Sequence, residues 1–516
     1  MALHVFNTLT RKKEAFVPHR PPVVRIYTCG LTVYSPMHIG HARTYCFWDM
    51  FRRYLEYRGM NVISVINYTD IDDRLMQNAN ENAGEVDLAE KVIASFRRDC
   101  RLMRVKDYAT YTRATDYLDG QIALVAKLIE TGHAYIVDGE VFYDVTSFPG
   151  YGKLSGRDVK DQQVGASGRV GEDVSRKNHP ADFTLWKPSS PGQPSWETGH
   201  PKWPSGRPGW HIECSVMSSA TLGESFDVHG GAVDNLFPHH ENEIAQSEPF
   251  CDCERWVKYW MHPEHLDLRG EKMSKSLGNV IGIPDLLSRH TYDEVRWFYA
   301  MTHYRSKLSF SDDLIDAAAE GYQKITKLIK ILEAKLEKAT DEELTVPARG
   351  QYATHGREDG GVPRFRHQYV HGAFGEATLK MVDRFIKAMD DDLNCPQTTA
   401  AIFDYVNELY AAGIEQSDDI ASVLAAYRAL TRHLYVLGIE LPSERLHPEL
   451  TAECFPVGGG DDATEGYAAF IDKLLAARQQ ARKDKDFAKA DMLRDVLAEA
   501  GLVVEDTAQG PRWELG

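Results

Sequence analysis

Apolar and polar positions near the start of the chain predict two strands with a helix between them. Residues 23–29 (VVRIYTC) and 61–67 (NVISVIN) are mostly apolar runs with the length of a buried strand. Between them, apolar side chains recur at helical spacing at Phe47, Met50, Phe51, Tyr54 and Leu55. Gly59 then supplies a stop signal. This order predicts a parallel sheet, with a nucleotide site at the carboxyl end of the first strand.

The pattern changes several times along the rest of the chain. Short β-like runs among loops rich in Gly, Pro and Ser interrupt the parallel-sheet pattern, which then returns, so we expect an inserted subdomain. The later part is mostly helical, apart from a polar, Gly-rich tract that predicts a mobile loop. The predicted units are a parallel-sheet domain at 1–115 and 205–260, the insertion at 116–204, a segment at 261–312, a helical bundle at 313–454 with the mobile tract at 341–373, and a linker with a small terminal domain at 455–516.

Composition excludes several classes of protein. The 516 residues carry a net charge of −17, and no apolar run approaches the roughly 18 residues that a membrane span needs. The first residues lack the apolar segment of a signal peptide, so we expect a cytoplasmic protein without membrane contact. The eight cysteines are scattered along the chain, which argues against a disulfide framework and favours reduced thiols or metal ligands.

A first candidate site lies between the first predicted strand and the helix. His38 and His41 flank Gly40 at the amino end of that helix, where backbone N–H groups favour anions. Both imidazoles can donate hydrogen bonds to phosphate oxygens, and Gly40 permits a nucleotide to approach the backbone. The alternative is a polar loop with incidental histidines.

A second candidate site is the string KMSKSLGN at 272–279. Lys272 and Lys275 flank small hydroxyl residues, and Gly278 provides a hinge, which suits a loop that contacts a polyphosphate. Alone, such a string is often a solvated turn. In this order and at this separation, the two motifs together resemble the signatures of class I aminoacyl-tRNA synthetases, and that resemblance implies catalytic roles for His38, His41, Lys272 and Lys275.

A third set of residues has the chemistry of zinc ligands. His239 and Glu243 are four residues apart, so on a helix they share a face. With Cys29 and Cys214 they would give the four N, S and O ligands that zinc prefers. Because the two cysteines are far apart in sequence, buried structural thiols are the alternative.

Neighbouring residues compete for the same role. His240 and Glu241 adjoin the proposed ligands, and Cys251 and Cys253 form a separate pair. The spacing of that pair fits poorly with a zinc knuckle, in which two to four residues separate the cysteines.

Longer segments resemble the cysteinyl-tRNA synthetases over nearly the whole chain. They are YTCGLTVYSPMHIGHART, NYTDIDDR, GRPGWHIECSVM, FDVHGGAVDNLFPHHENEIAQ, KMSKSLGN and the terminal ARKDKDFAKADMLRDVLAEAGLVVEDTAQGPRW. The resemblance implies a Rossmann-type catalytic domain with an inserted subdomain, a KMSKS-bearing region at 261–312 that contacts the tRNA stem, a helical bundle and a C-terminal anticodon-binding domain.

The resemblance also implies roles for individual residues. One zinc ion would be held by Cys29, Cys214, His239 and Glu243. Thr69 and Trp210 would border the cysteine pocket. ATP, accompanied by Mg²⁺, would contact the two motifs described above and also Gly230, Gly231 and Asp234. The implied activity is ATP-dependent formation of cysteinyl-adenylate and transfer of cysteine to the 3′ end of tRNA(Cys), by an enzyme expected to be a monomer.

The terminal region separates this reading from its rivals. Residues 476–489 are basic on an amphipathic pattern, and Trp513 can stack on an unpaired base of tRNA, although a hydrophobic plug is the alternative role for that ring. A cysteine ligase that acts on an amino sugar, as in the mycothiol pathway, resembles the catalytic part without residues 467–516. A catalytically silent zinc and RNA-binding protein is expected to lose one of the phosphate motifs, and both are present.

Overall fold

A computed structural model of the chain describes residues 2–76, 85–157, 174–268, 271–272, 280–344, 353–354, 365–366, 373–439, 502–507 and 510–515. The chain divides into two compact units, Met1–Pro442 and Ser443–Gly516. That division precedes the linker predicted to begin at residue 455.

Strands and helices alternate in the first part of the chain, and helices predominate later. The strands are β1 His4–Asn7, β2 Lys12–Ala15, β3 Val23–Thr32, β4 Asn61–Thr69, β5 Thr110–Arg113, β6 Ala134–Val137, β7 Glu140–Tyr143, β8 Phe183–Lys187, β9 Trp196–Glu197, β10 Ser205–Pro208, β11 Phe226–Gly230, β12 Val257–Met261, β13 Leu266–Leu268, β14 Glu271–Lys272, β15 Leu308–Phe310, β16 Ala353–Thr354, β17 Phe365–Arg366, β18 Leu502–Thr507 and β19 Gly510–Leu515. The helices are α1 Ile39–Tyr57, α2 Glu85–Leu102, α3 Leu118–Glu130, α4 Trp210–Leu222, α5 Val233–Asn235, α6 Glu241–Cys251, α7 Ile283–Leu287, α8 Tyr292–Ala300, α9 Asp312–Leu336, α10 Asp341–Leu344, α11 Gly375–Asp390, α12 Cys395–Ala411 and α13 Ile420–Val436.

A parallel five-stranded sheet forms the centre of the first unit, in the order β12-β11-β3-β4-β5. The two predicted strands are present as β3 and β4, and each continues a little further than its apolar run. The chain passes from β3 through α1 to β4 on one side, and later adds β11 and β12 on the other side. The strand order therefore reverses between β3 and β11, which is where ligands bind in open sheets of this kind.

Helix α1 follows β3 as predicted, and Gly59 has the positive φ of 78° that ends it. The helix is buried on both faces, because it also packs against α13 of the helical bundle. Its polar residues Asp49 and Arg53 are consequently buried and paired at 2.8 Å, and Arg296 of α8 reaches the same carboxylate at 2.7 Å. The amphipathic pattern predicted the helix, but the pattern alone does not reveal this second buried face.

The inserted sheet has the order β6-β7-β8-β10-β9, with antiparallel pairing between neighbours. Its strand β10 at 205–208 had been assigned by sequence to the catalytic domain. Arg207 pairs with Lys187 of β8, and Gly206 pairs with Trp196 of β9. Because this pairing is made by the backbone, the polar sequence SGRP gave no apolar signal for it.

The helical bundle contains α9 and α11 to α13. Most of the tract predicted to be mobile, 341–373, lies outside the described residues. Its described residues are those of α10, of the short pair β16 and β17, and residue 373. In the second unit, β18 and β19 form an antiparallel hairpin in which Val504 lies opposite Trp513. The basic stretch at 476–489 lies outside the described residues.

Two further features bear on the expectations from composition. Among the helices of the described ranges, none has the length and apolar character needed to cross a bilayer. A disulfide joins Cys251 and Cys253, which departs from the expectation of reduced thiols and occupies the pair that competed for a metal role. Five other described cysteines are free and buried: Cys29, Cys46, Cys100, Cys214 and Cys395.

The buried charges of α1 generate a stability prediction. Burial alone would raise the pKa of the Asp49 carboxyl, but Arg53 and Arg296 outweigh it and lower the pKa to about 2. Asp49→Asn leaves two buried guanidinium groups without their counter-charge, so we expect a loss of about 3 to 5 kcal/mol in the free energy of unfolding. The measurement is thermal unfolding of the full chain at pH 7.

The control for that variant is Asp404→Asn. Asp404 pairs with Arg384 at an exposed position, where an ion pair contributes about 1 kcal/mol or less. Since the folded pKa of Asp49 lies below the unfolded value of about 3.9, its contribution is present above pH 4 and declines as the pH falls toward 2. Equal unfolding midpoints for Asp49→Asn and Asp404→Asn would contradict the prediction.

Candidate active site and metal centre

The four proposed metal ligands meet in the core of the first unit, beside the point where the strand order reverses. Cys29 lies in β3, Cys214 in α4, His239 in the helical turn after α5, and Glu243 at the start of α6. All four are buried, and one ligand atom from each lies within 4.8 Å of the others. Residues that are distant in sequence therefore form one cluster.

The ligand atoms of the cluster lie close to one another. The sulfur atoms of Cys29 and Cys214 are 3.8 Å apart, and His239 Nε2 lies 3.0 Å from Glu243 Oε1. Burial raises the pKa of both thiols, that of Cys29 well above its usual range. Two thiols and a carboxylate are costly to bury as anions unless a cation accompanies them. The arrangement has the chemistry of a site for a divalent metal ion.

The rival ligands are placed differently. His240 Nε2 lies 3.2 Å from Cys29 Sγ, so a second set formed by Cys29, His229, His240 and Glu243 also converges within 4.8 Å. Burial lowers the pKa of His240 well below its usual range, which keeps the ring neutral and able to bind a metal. Glu241 instead accepts the backbone N–H of Ser155 at 2.7 Å, in the inserted subdomain. The structure thus directs Glu241 away from the cluster and leaves His240 beside it.

Side chains proposed for the cysteine pocket border the same cluster. The Trp210 ring stacks on His239 with centroids 4.2 Å apart and planes at 20°. Thr69 ends β4 and donates to Glu213 Oε2 at 2.8 Å, and both residues are buried. Glu213 directly precedes Cys214 on α4. The proposed pocket residues therefore contact the elements that carry the cluster.

His38 and His41 cap the amino end of α1. The backbone N–H groups of Gly40 and His41 donate to His38 Nδ1 at 3.1 and 3.3 Å, and the backbone N–H of His38 donates to His41 Nδ1 at 3.3 Å. The rings stack with centroids 3.7 Å apart. Because each Nδ1 accepts, a neutral ring carries its proton on Nε2. Each imidazole therefore presents an Nε2–H donor at a helix N-terminus.

Three further residues proposed for ATP binding lie at the end of β11, next to β3, or just after it: Gly230, Gly231 and Asp234. A side chain at Gly230 would overlap the Trp48 ring and the Met261 carbonyl, so close packing already requires glycine there. A Cβ at Gly231 would lie 3.2 Å from that of Cys29. Asp234 is exposed and pairs with His265 Nε2 at 3.2 Å. These positions adjoin the metal cluster at the reversal point.

The lysine motif is only partly described. Lys272 lies in β14, where it pairs with Asp267 of β13. Lys275 and the remainder of the motif, 273–279, lie outside the described residues. Trp513 lies in β19, in the hairpin of the second unit.

Comparison with known families decides the classification. Residues 15–320 match the model of the class I (C) tRNA synthetase catalytic domain, residues 384–441 match the DALR domain, and residues 464–513 match the cysteinyl-tRNA ligase anticodon-binding domain. A cysteine–tRNA ligase of Symbiobacterium thermophilum is 41% identical over 99% of both chains. The chain belongs to the cysteinyl-tRNA ligase family.

Other relatives agree with this assignment. A cysteine–tRNA ligase of Thermococcus onnurineus is 39% identical over 100% of this chain and 99% of its own. The fold also resembles the methionyl-tRNA synthetase of Mycobacterium tuberculosis, with a TM-score of 0.55, 13% identity and coverage of 85% and 95% of the two chains. A LeuRS of Agrobacterium radiobacter K84 gives a TM-score of 0.59 at 11% identity, with 86% of each chain covered. The predicted fold class is confirmed, and the terminal match favours a tRNA ligase over the amino-sugar alternative.

Sequence reasoning missed several members of the site. His229 directly precedes the two glycines assigned to ATP binding; it is buried, and its Nε2 lies 2.7 Å from Glu243 Oε2. His262 lies 2.7 Å from His240, and burial lowers the pKa of His262 to about 3. Spacing gives no signal for these contacts, since the residues lie on different elements. The concentration of histidine between residues 229 and 265 was the available hint.

The metal cluster predicts a specific loss of cation in one cysteine variant. Cys214→Ser replaces a strong thiolate ligand by a poor hydroxyl ligand, so we expect the bound divalent cation to fall from about one equivalent to less than about 0.1 after loading with Zn²⁺ and gel filtration. The measurement is metal analysis of the purified full chain. The matched control is Cys46→Ser, a buried free cysteine of α1, which should retain the cation. Full retention by Cys214→Ser would contradict the assignment.

Proposed function

We propose that this chain activates L-cysteine with ATP and then transfers it to the 3′ end of tRNA(Cys). Family membership supports the reaction. The observation that carries the choice of amino acid is the buried cluster of Cys29, Cys214, His239 and Glu243, beside two imidazoles at the start of α1. An amino-acid thiol and a triphosphate would meet at this edge of the sheet.

The first step needs no protein nucleophile. A carboxylate oxygen of cysteine attacks the α-phosphorus of ATP, the bond to the bridging oxygen breaks, and pyrophosphate leaves with the electron pair. Catalysis is then positioning and neutralisation of charge. The Nε2–H groups of His38 and His41 would donate to oxygens of the α and β phosphates, and Lys272 and Lys275 would neutralise the β and γ phosphates, which arrive with Mg²⁺.

Adenosine would lie along the end of β11. Gly231 allows a close approach to the backbone, and Asp234, held by His265, offers a carboxylate to a ribose hydroxyl. Glycine is required at position 230 because a side chain there would overlap the Trp48 ring. Gly230 would therefore contribute to ATP binding through the shape of this turn.

The metal is proposed to be one zinc ion per chain. Zn–S bonds of about 2.3 Å in a tetrahedron separate two sulfurs by about 3.8 Å, which is the distance between Cys29 and Cys214. The chemistry that zinc supplies when bound is Lewis acidity toward a thiolate. The chain would hold the ion with Cys29, Cys214, His239 and Glu243, and Trp210 would keep the His239 ring in place by stacking.

Serine differs from cysteine only by oxygen in place of sulfur. An apolar pocket separates such near-isosteres by roughly 1 to 3 kcal/mol, which is too little for accurate translation. A thiolate is a much stronger ligand than a protonated hydroxyl. Thr69, fixed by Glu213, would border the rest of the amino acid. Selection would thus occur at binding and require no editing site.

The second step joins cysteine to tRNA. A ribose hydroxyl of the terminal nucleotide attacks the acyl carbon of the adenylate, and AMP leaves. The second unit would bind the anticodon, with Trp513 stacked on an unpaired base, where such stacking is worth about 1 to 3 kcal/mol. We also propose that the protein is cytoplasmic and acts as a monomer.

The decisive experiment compares cysteine with serine in ATP–pyrophosphate exchange, before and after removal of the metal, followed by transfer to tRNA(Cys). We expect cysteine-dependent exchange and charging of tRNA, with loss of both on chelation and recovery on addition of Zn²⁺. The control substrate is an amino sugar, which should receive no cysteine. An exhaustively chelated enzyme, empty by metal analysis, that still prefers cysteine over serine would contradict the proposal.

Lys275→Ala tests the assignment of the lysine motif. Removing a cation from the β and γ phosphates should lower the rate of adenylate formation by about 100-fold, while the Kd for cysteine changes by less than about 2-fold. Exchange kinetics report the rate, and equilibrium dialysis with labelled cysteine reports the binding. Lys338→Ala, a lysine outside the motif, serves as the control. Wild-type exchange kinetics in Lys275→Ala would refute the role.

A further inference from the structure

Arg43 lies on α1, two residues beyond His41, and is 4% exposed. Its guanidinium group donates to main-chain carbonyl groups from two other parts of the chain. The acceptors are the carbonyl oxygens of Glu264 at 2.8 Å and His265 at 2.5 Å, both to Nη1, and those of His303 at 3.3 Å and Ser306 at 2.6 Å, both to Nη2. One side chain therefore joins the signature helix to two separate loops.

Those two loops lead into neighbouring strands. Glu264 and His265 directly precede β13, and one residue separates Ser306 from the start of β15. Strands β13 and β15 pair in parallel, and β13 pairs on its other edge with β14, which contains Lys272. Arg43 thus fixes the start of the small sheet that carries the first lysine of the second motif.

The chain segment beyond the second motif is tied to the same helix. The backbone N–H of Ile39 donates to the carbonyl of Ile281 at 3.1 Å, and His38 forms an isolated β-bridge with Gly282. The hydroxyl of Tyr299 donates to the carbonyl of Ile39 at 3.0 Å. The chain therefore contacts the first turns of α1 both before the second motif, at 264–265, and after it, at 281–282.

The chemistry of the Arg43 contacts requires a guanidinium group. Burial lowers the pKa of Arg43 to about 10, so the group is still a cation at pH 7. Its planar fork places two nitrogens so that each reaches a pair of carbonyl oxygens at once. Lysine has one compact ammonium group and cannot span acceptors in both loops. Lysine at this position would keep the charge and lose the bridge.

We propose that Arg43 is a positioning residue for adenylate formation, which holds the sheet bearing Lys272 at a fixed register relative to His38 and His41. Arg43 does not contact the cluster of Cys29 and Cys214 in any hydrogen bond of the described residues, so cysteine binding is separate from this function. The inference rests on the proposed function, because it assumes that the imidazoles and Lys272 contact the same triphosphate.

The test is a double-mutant cycle on the full-length holoenzyme with Arg43→Lys and Lys272→Ala. If Arg43 acts through the sheet that bears Lys272, Arg43→Lys should lower kcat for cysteine-dependent ATP–pyrophosphate exchange by about 10- to 100-fold in the wild-type background. In the Lys272→Ala background the same substitution should lower it by less than about 3-fold. The KM for cysteine and the zinc content should be unchanged in every variant.

Arg53→Lys is the matched control, because Arg53 is also a buried arginine of α1 but pairs with Asp49. If Arg53→Lys lowers kcat, it should lower it by the same factor in the wild-type and Lys272→Ala backgrounds. If Arg43→Lys is poorly folded, Arg43→Gln replaces it, and the same loss of kcat in the wild-type background and the same small effect in the Lys272→Ala background are expected.

Each outcome separates the inference from the proposed function. Wild-type protein without cysteine-dependent exchange overturns the proposed function itself. If the wild-type protein shows normal exchange, the positioning role is overturned when Arg43→Lys lowers kcat by the same factor with and without Lys272→Ala. It is also overturned when Lys272→Ala alone has wild-type kinetics. Failure of both Arg43 variants to fold would show that Arg43 serves the fold alone and would likewise overturn the proposal.

Discussion

Two thiols, an imidazole and a carboxylate share one buried position, and their common need for a cation constrains the structure around them. Cys29 comes from a strand, Cys214 and Glu243 from two helices, and His239 from the turn between β11 and α6. A tetrad of this kind converges only if β3, β11 and the helices beside them have the correct order and register. Because burial raises the pKa of the thiols, a cation is needed to hold them as thiolates in the core. The proposed metal site therefore depends on the order and register of the parallel sheet.

Helix α1 connects this site to the helical bundle. Its first turn presents the imidazole pair, its middle is bound to α8 through the ion pairs of Asp49, and its last turn reaches the bundle. Arg58 pairs with Asp390 of α11, and the Tyr54 hydroxyl donates to the same carboxylate at 2.6 Å. Buried charge pairs resist small displacements, since a shifted partner leaves a charge unpaired in low dielectric. The end of α1 that carries His38 and His41 is thus held by contacts made two to five turns away.

Sequence reasoning predicted the elements whose signal is local. The apolar runs located β3 and β4, the helical spacing located α1, and i,i+4 spacing placed His239 and Glu243 on adjoining turns. It did not predict features that depend on partners far along the chain. Strand β10 joins the inserted sheet through its backbone, and His229 reaches Glu243 only because β11 and α6 are packed together. The sequence shows which residue types stand at these positions, but tertiary packing determines which residues they contact.

The imidazole pair shows how a short motif can define a donor array. A single histidine at a helix N-terminus would be able to present either ring nitrogen. Here the backbone N–H groups of Gly40 and His41 occupy Nδ1 of His38, and the backbone N–H of His38 occupies Nδ1 of His41. The backbone of the helix cap therefore fixes the tautomer of both rings, and the rings stack with their centroids 3.7 Å apart. Both Nε2–H donors are set by the fold itself, so the phosphate binding proposed above would require little reorganisation of these rings.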